Sequence, residues 1–356
     1  MCVAFFTLEH PDYALILCSN RDEFLSRPTE FAHFHSFEVR ENKRHPDGFV
    51  LSGIDVQAGG TWLGLTKAGK VALLTNITEE TNAKFVHSRG YLVSSFLAPR
   101  PPSQPERTPN TDPDARYAGF NLLLLVPQGS AQPNPSLSYD AYLVTNHGAG
   151  GEITYRPLTR AERRYGGQSN GVDGRGGEGW FKVKKGLDGL QDVIKLGEDG
   201  DAVPKVAEDK IIEELFELLT WTSPVPPTCR RDLRNTIQVD PIAIATPTHS
   251  PPAKDYYATR LATVVLIKRT GEVVFIERDR WMMPPAASSV PTAPEVDSAA
   301  ESRADAGADA RVGTGTWTES IAEGKRAEVH RGEKEPVLAP SLSSSAQRVY
   351  RFRLDI

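Results

Sequence analysis

Cysteine is scarce in this sequence: Cys2, Cys18 and Cys229 are the whole complement, an odd number without metal-ligand spacing. That excludes a disulfide framework and fits a reducing compartment, so the expected location is the cytoplasm. Long apolar runs are missing as well. Charge, Pro or Gly interrupts every stretch before the roughly 18–20 residues a membrane helix needs, so no transmembrane segment is expected. The first residues lack a basic region, and Glu9, His10, Pro11 and Asp12 break the apolar stretch too early for a secretory signal. Basic excess is also absent. The net charge is −5 and the basic residues are spread out, which leaves no phosphate-binding stripe and excludes nucleic acid as an expected partner. The residue after Met1 is not Gly and the chain ends Arg-Leu-Asp-Ile, so no lipid anchor is expected.

What is present is enough to fold. The 356 residues are 39% hydrophobic, sufficient for one large domain with insertions or for two ordinary ones. Extended patterns dominate. "CVAFFTL" and "YALILCS" flank His10-Pro11-Asp12, and "TWLGLT" and "KVALLTNIT" flank Ala68-Gly69, each pair reading as a hairpin. "GFNLLLLV", "YDAYLVTN", "EITYRPL", "LATVVLIK" and "EVVFIER" add strands. Several are apolar on both faces, which predicts sheets covered on both sides. Helices are fewer. "DKIIEELFELLTWT" and "HSRGYLVSSFLA" carry apolar stripes at three- and four-residue spacings, and "FKVKKGLDGLQDVIKLG" predicts a third helix broken near Gly186.

Residues 1–283 read as one domain. Within it, Pro99 to Asp114 reads as a surface insertion and Gly171 to Gly179 as a Gly-rich loop. From 284 to 347 the Ala/Ser/Pro/Glu-rich composition holds too little apolar surface to offset ordering entropy, which predicts a disordered insertion. "RVYRFRLDI" over 348–356 then alternates well enough to return as a final strand of the same domain.

The chemistry concentrates at the first hairpin. With a turn centred on Pro11-Asp12, residues whose numbers sum to about 23 face one another, which sets Cys2 beside the polar knot Asn20-Arg21-Asp22-Glu23. Met1 is readily removed before a small residue such as Cys. Its loss would leave a thiol and an α-amine on one residue, and an amine titrating near 8 can take the thiol proton without a histidine. Arg21 is of the type that favours a thiolate, and Asp22 of the type that holds an amine. The bland alternative is an incidental small strand residue beside a polar strand end. His33 and His35 alternate on a candidate strand without a third ligand, so no metal and no cofactor is expected.

"MCVAFFTLEH", "NRDEF", "GGTWLGLTKAGKVALLTN" and "GGQSN...GWFKVKKG" together resemble the NRDE family, the transport-and-Golgi-organisation proteins, over most of Met1 to Arg278. That family is in turn similar to the N-terminal-nucleophile hydrolases, in particular the cysteine-dependent branch that cleaves amides of bile salts and penicillin V. The resemblance implies an α+β fold, a four-layer αββα sandwich of antiparallel sheets. It implies Cys2 as nucleophile, Asp22 as the acid near its amine, Asn76 and Asn170 as oxyanion donors, and Arg260 as a site arginine. Asn20, Arg21, Glu23 and Trp62 are the expected binding residues. Asn76 and Asn170 also suit strand-end and loop turns, Arg260 a strand-end cation, and Trp62 a core anchor. The sequence departs from the hydrolase branch in placing Arg21 after Asn20 and in the Gly171 to Gly179 stretch.

For biology the resemblance implies Golgi organisation and protein secretion, with peripheral association with Golgi or mitochondria. Two functions from different classes fit: a Cys2-dependent hydrolase of a small-molecule amide, and a non-catalytic carrier of haem or lipid.

Overall fold

The computed structural model describes residues 2–37, 48–79, 83–99, 115–128, 136–196, 206–246, 253–284, 335–338 and 346–356. The expected insertion at Pro99 to Asp114 lies almost wholly outside these residues. So does most of the expected disordered segment, of which the structure describes 335–338 and the two ends.

The chain opens with β1 (Val3–Thr7) and β2 (Tyr13–Phe24), followed by β3 (Thr29–His35), β4 (Val50–Asp55), β5 (Leu63–Thr66) and β6 (Val71–Asn76). Helix α1 (Gly90–Leu97) precedes β7 (Phe120–Gln128), β8 (Ser138–Thr145) and β9 (Thr154–Pro157). Next come α2 (Arg160–Arg164), β10 (Gly166–Gln168), α3 (Phe181–Ile194) and α4 (Glu208–Leu219). The last elements are β11 (Ile242–Thr246), β12 (Ala253–Lys268), β13 (Glu272–Asp279), β14 (Trp281–Met282), β15 (Val337–Leu338) and β16 (Gln347–Arg353).

Two seven-stranded antiparallel sheets and a two-stranded ribbon of β14 and β15 result. The first runs β10-β1-β2-β12-β13-β16, with β11 paired to β12, and the second runs β3 through β9 in sequence order. Alternation along each strand sends its side chains into different layers. Leu15, Leu17 and Val265 of the first sheet meet Leu65, Leu73 and Leu123 of the second in a shared core. Ile16, Cys18 and Val264 instead face α3 and α4, through Leu190, Ile211 and Leu215. On the far side Ala72, Leu122 and Leu124 of the second sheet pack on Leu92, Val93 and Phe96 of α1. Helix, sheet, sheet and helix make the expected αββα sandwich. Strands apolar on both faces are buried on both, which is why they lack the half-polar alternation of a solvent-facing sheet.

Three elements differ from the sequence reading. Helix α3 is unbroken through Gly186. A Cβ built there would lie 1.8 Å from Cζ of Phe5, so the glycine permits close packing of α3 on β1 rather than ending the helix. Strand β4, buried over Val50 to Gly53, is not among the strands expected from the sequence, although the turn formers Pro46-Asp47-Gly48 stand just before it. The polar knot does form the end of β2 but is not solvated there: Asn20, Arg21 and Asp22 are buried. The returning segment behaves as a strand, with β16 paired to β13 from Arg353 opposite Glu272 to Gln347 opposite Arg278.

Candidate functional site

The hairpin register is the one the turn dictates. Val3 faces Asn20 and Thr7 faces Ile16, and one further step sets Cys2 opposite Arg21. On its other side β1 pairs with β10, Ala4 facing Gln168, and just past the end of that ladder Ser169 Oγ reaches the Cys2 carbonyl. Cys2 therefore lies between Arg21 and Ser169, at the sheet end where β1 begins. Ala4 and Phe6 point into the core between the sheets while Val3 and Phe5 point at the helices. Alternation gives Cys2 and Arg21 the inter-sheet side, and Asn20 and Asp22 the helix side.

Cys2 is half-buried, and its Sγ donates to the main-chain oxygen of Asp22 at 3.8 Å. Burial pushes the thiol up from its ordinary value, and the Arg21 cation works in the opposite direction. The Cys2 carbonyl accepts from Ser169 Oγ at 2.9 Å and from Lys182 Nζ at 3.5 Å. The Asp22 main-chain oxygen also accepts from Tyr257 Oη at 3.1 Å, so thiol and phenol converge on one acceptor. The Asp22 carboxylate accepts from Thr259 Oγ1 at 2.6 Å.

Arg21 stacks its guanidinium 3.9 Å from the Trp62 ring centroid, joining the two sheets across the cleft, and donates to Thr29 Oγ1 at 3.1 Å. Trp62 itself packs on the inter-sheet core while its face carries Arg21. Arg260 sits at a β-bulge: Thr259 pairs with Asp22 and Leu261 with Arg21, so Arg260 has no partner in the ladder. Bulges re-aim side chains, and this one sends Arg260 Nη1 to the Phe24 carbonyl at 3.1 Å and to Thr29 Oγ1 at 3.3 Å. Burial and the neighbouring Arg21 cation lower its pKa to about 10.

Asn170 is buried and donates through Nδ2 to the Asn76 carbonyl at 2.5 Å. This contact uses one of the two N–H bonds of the amide. Asn76 is the half-buried last residue of β6, so the two asparagines are adjacent. Asn20 stands apart from this group, whereas Glu23 sets an anionic side chain near Arg21 and Arg260. Asn20 Nδ2 donates to the carbonyls of Leu219 and Ile237 at 2.8 and 3.2 Å, tying β2 to the end of α4. Glu23 accepts from the Phe24 amide at 2.9 Å and lies 3.8 Å from Arg27. His35 Nε2 lies 2.8 Å from Ser52 Oγ, and no group of three or more metal-ligating side chains occurs among the described residues. No helix among them is long and apolar enough to cross a membrane.

Sequence reasoning missed Ser169, Lys182, Tyr257 and Thr259. Lys182 left one signal, standing four and eight residues before Gly186 and Leu190 on the buried stripe of α3. Thr259 and Tyr257 left none, because their roles depend on the pairing of β12 with β2. Beside Ser169 a cavity of about 70 Å³ is lined by Phe6, Asn121, Gln168, Gly171 and Glu178 among others.

The family profile for Transport and Golgi organisation 2 matches residues 1–282. The Transport and Golgi organization protein 2 homolog of Bos taurus is 29% identical, covering 78% of this chain and 92% of its own. The Mus musculus homolog is 28% identical over the same shares. Among solved structures, penicillin V acylase from Agrobacterium tumefaciens matches at a TM-score of 0.39 and 12% identity, covering 78% of this chain and 83% of the acylase.

Proposed function

This chain belongs to the Transport and Golgi organisation 2 family, and we propose that it acts as a cysteine amide hydrolase of the N-terminal-nucleophile type. The observation that carries this reading is the hairpin register, which brings Cys2 beside Arg21 with its Sγ donating to the Asp22 main-chain oxygen. With Met1 removed, the Cys2 α-amine takes the thiol proton and the thiolate attacks the substrate carbonyl carbon. As the C–S bond forms, the carbonyl π electrons move to oxygen, where the amides of Asn76 and Asn170 are the donors. An oxyanion donor of this kind is worth ~2.7–4 kcal/mol of barrier. Collapse re-forms the carbonyl and breaks the C–N bond. The departing amine takes the proton from the Cys2 ammonium. Water, deprotonated by the same α-amine, then attacks the thioester and releases the acid with the free thiol.

The reading extends to Golgi organisation, which the family's name supports, and to protein secretion worked from the cytoplasm with peripheral association at Golgi or mitochondrial membranes.

Intact mass spectrometry of the purified protein tests the first requirement. The expected mass lacks Met1, and retention of Met1 defeats the mechanism because the α-amine would belong to another residue. Labelling by an activity-based thiol probe in a Cys229→Ser background, which removes the exposed cysteine, tests the second. Wild-type Cys2 labels and Cys2→Ala does not. Equal labelling of both would transfer the proposal to the carrier function.

A further inference from the structure

Lys182 has no exposed surface, which is rare for lysine. It projects from the first turn of α3, where the other buried residues are Val183, Gly186, Leu190 and Ile194, and its Nζ meets the Cys2 carbonyl at 3.5 Å. A fully desolvated ammonium costs several kcal/mol before pairing, and an apolar residue of the same volume commonly packs as well or better. Packing alone therefore gives no reason for a lysine at this position.

The charges around it supply one. The titratable groups surrounding Cys2 are Arg21 and Asp22 on β2, Tyr257 on β12, Arg89 ahead of α1, and Lys182 itself. Burial first, and the anionic Asp22 after it, raise the thiol, and Asp22 would also hold an α-amine protonated, the wrong direction for a base. A cation beside the same residue offsets both effects. We propose that Lys182 is a positioning residue for the nucleophile: it fixes the Cys2 main chain through the carbonyl, and its charge offsets Asp22 so that thiolate and neutral amine coexist near neutral pH. This rests on the reading of Cys2 as nucleophile given above.

Burial brings Lys182 down to about 8, against the raising influence of Asp22 and Cys2. It is therefore a cation at neutral pH and loses its charge as the medium passes about pH 8. The test is the rate of Cys2 alkylation by iodoacetamide against pH, read by peptide mass spectrometry, in the Cys229→Ser full-length chain carrying Lys182→Met, Lys182→Gln or Lys182→Arg.

In the Met and Gln proteins the thiol midpoint is expected to rise by about one pH unit, slowing labelling near neutrality about tenfold. Lys182→Arg keeps a charge that does not titrate, so its midpoint stays low and its rate enhancement persists above about pH 8, where the wild type loses it. A folded Met or Gln protein with an unmoved midpoint overturns the proposal. If neither folds, superposable wild-type and Lys182→Arg profiles overturn it. A wild-type Cys2 no more reactive than a free thiol defeats the nucleophile reading instead, while the shift caused by Lys182 remains measurable.

Discussion

Replacing Thr259 by Val should destabilise the protein by about 3–5 kcal/mol, although it changes neither the volume nor the strand preference of the residue. Thr259 is fully buried, and its hydroxyl serves two groups at once. It donates to Asp22 Oδ1 at 2.6 Å and accepts the Val239 amide at 2.8 Å. Losing a hydrogen bond to a charged acceptor removes ~1.5–3 kcal/mol, and leaving the Val239 N–H unsatisfied in the interior costs a further ~1–3 kcal/mol. That is a large part of the ~5–15 kcal/mol by which domains are usually stable. Thr259→Ser keeps the hydroxyl and gives up one methyl, worth about 1 kcal/mol. Urea unfolding followed by the fluorescence of the five tryptophans compares the two. If Val and Ser lose the same amount, the hydroxyl is not what holds Asp22 and the derivation fails.

Three other outcomes follow from the packing. Gly186→Ala should lose about 1–3 kcal/mol through overpacking against Phe5, outweighing the ~1 kcal/mol gained in helix propensity. Phe5→Leu should partly rescue it in a double-mutant cycle, and purely additive effects would refute the contact. Trp62→Leu should weaken the cross-sheet stack of Arg21 by ~0.5–2 kcal/mol, read as an equal loss in Arg21→Met that does not add to it. Glu277 is buried, and desolvation raises its carboxyl despite Arg348. The folded state then holds its proton to higher pH than the unfolded chain. This group therefore withdraws stability as pH rises above about 4.3, the unfolded carboxylate range. Glu277→Gln should flatten that part of a melting-temperature profile, and an unchanged slope would refute the assignment.

Local order in the chain determined much of this protein. Pro11-Asp12 fixed the hairpin turn, and a turn fixes register, so the apposition of Cys2 and Arg21 could be counted from the sequence and agrees with the pairing of Val3 with Asn20. Continuous apolar runs announced sheets covered on both faces, and the spacing of Leu92, Val93, Phe96 and Leu97 announced α1. These are periodic signals confined to a few residues, and periodicity survives in a linear reading.

Tertiary structure decided what depends on partners distant in sequence. Gly186 reads as a helix breaker until Phe5 lies against it. Asn20 reads as part of the polar knot until the carbonyls of Leu219 and Ile237, some two hundred residues away, take its amide. Arg260 reads as a strand-end cation until the bulge between Thr259 and Leu261 turns it onto the β2–β3 connection. Lys182 draws no notice in the sequence until α3 lays it on the Cys2 carbonyl. The physical reason is common to all four. Propensity and periodicity report a residue's preference in water, whereas close packing and charge in a desolvated interior are properties of pairs, and only the fold determines the pairs.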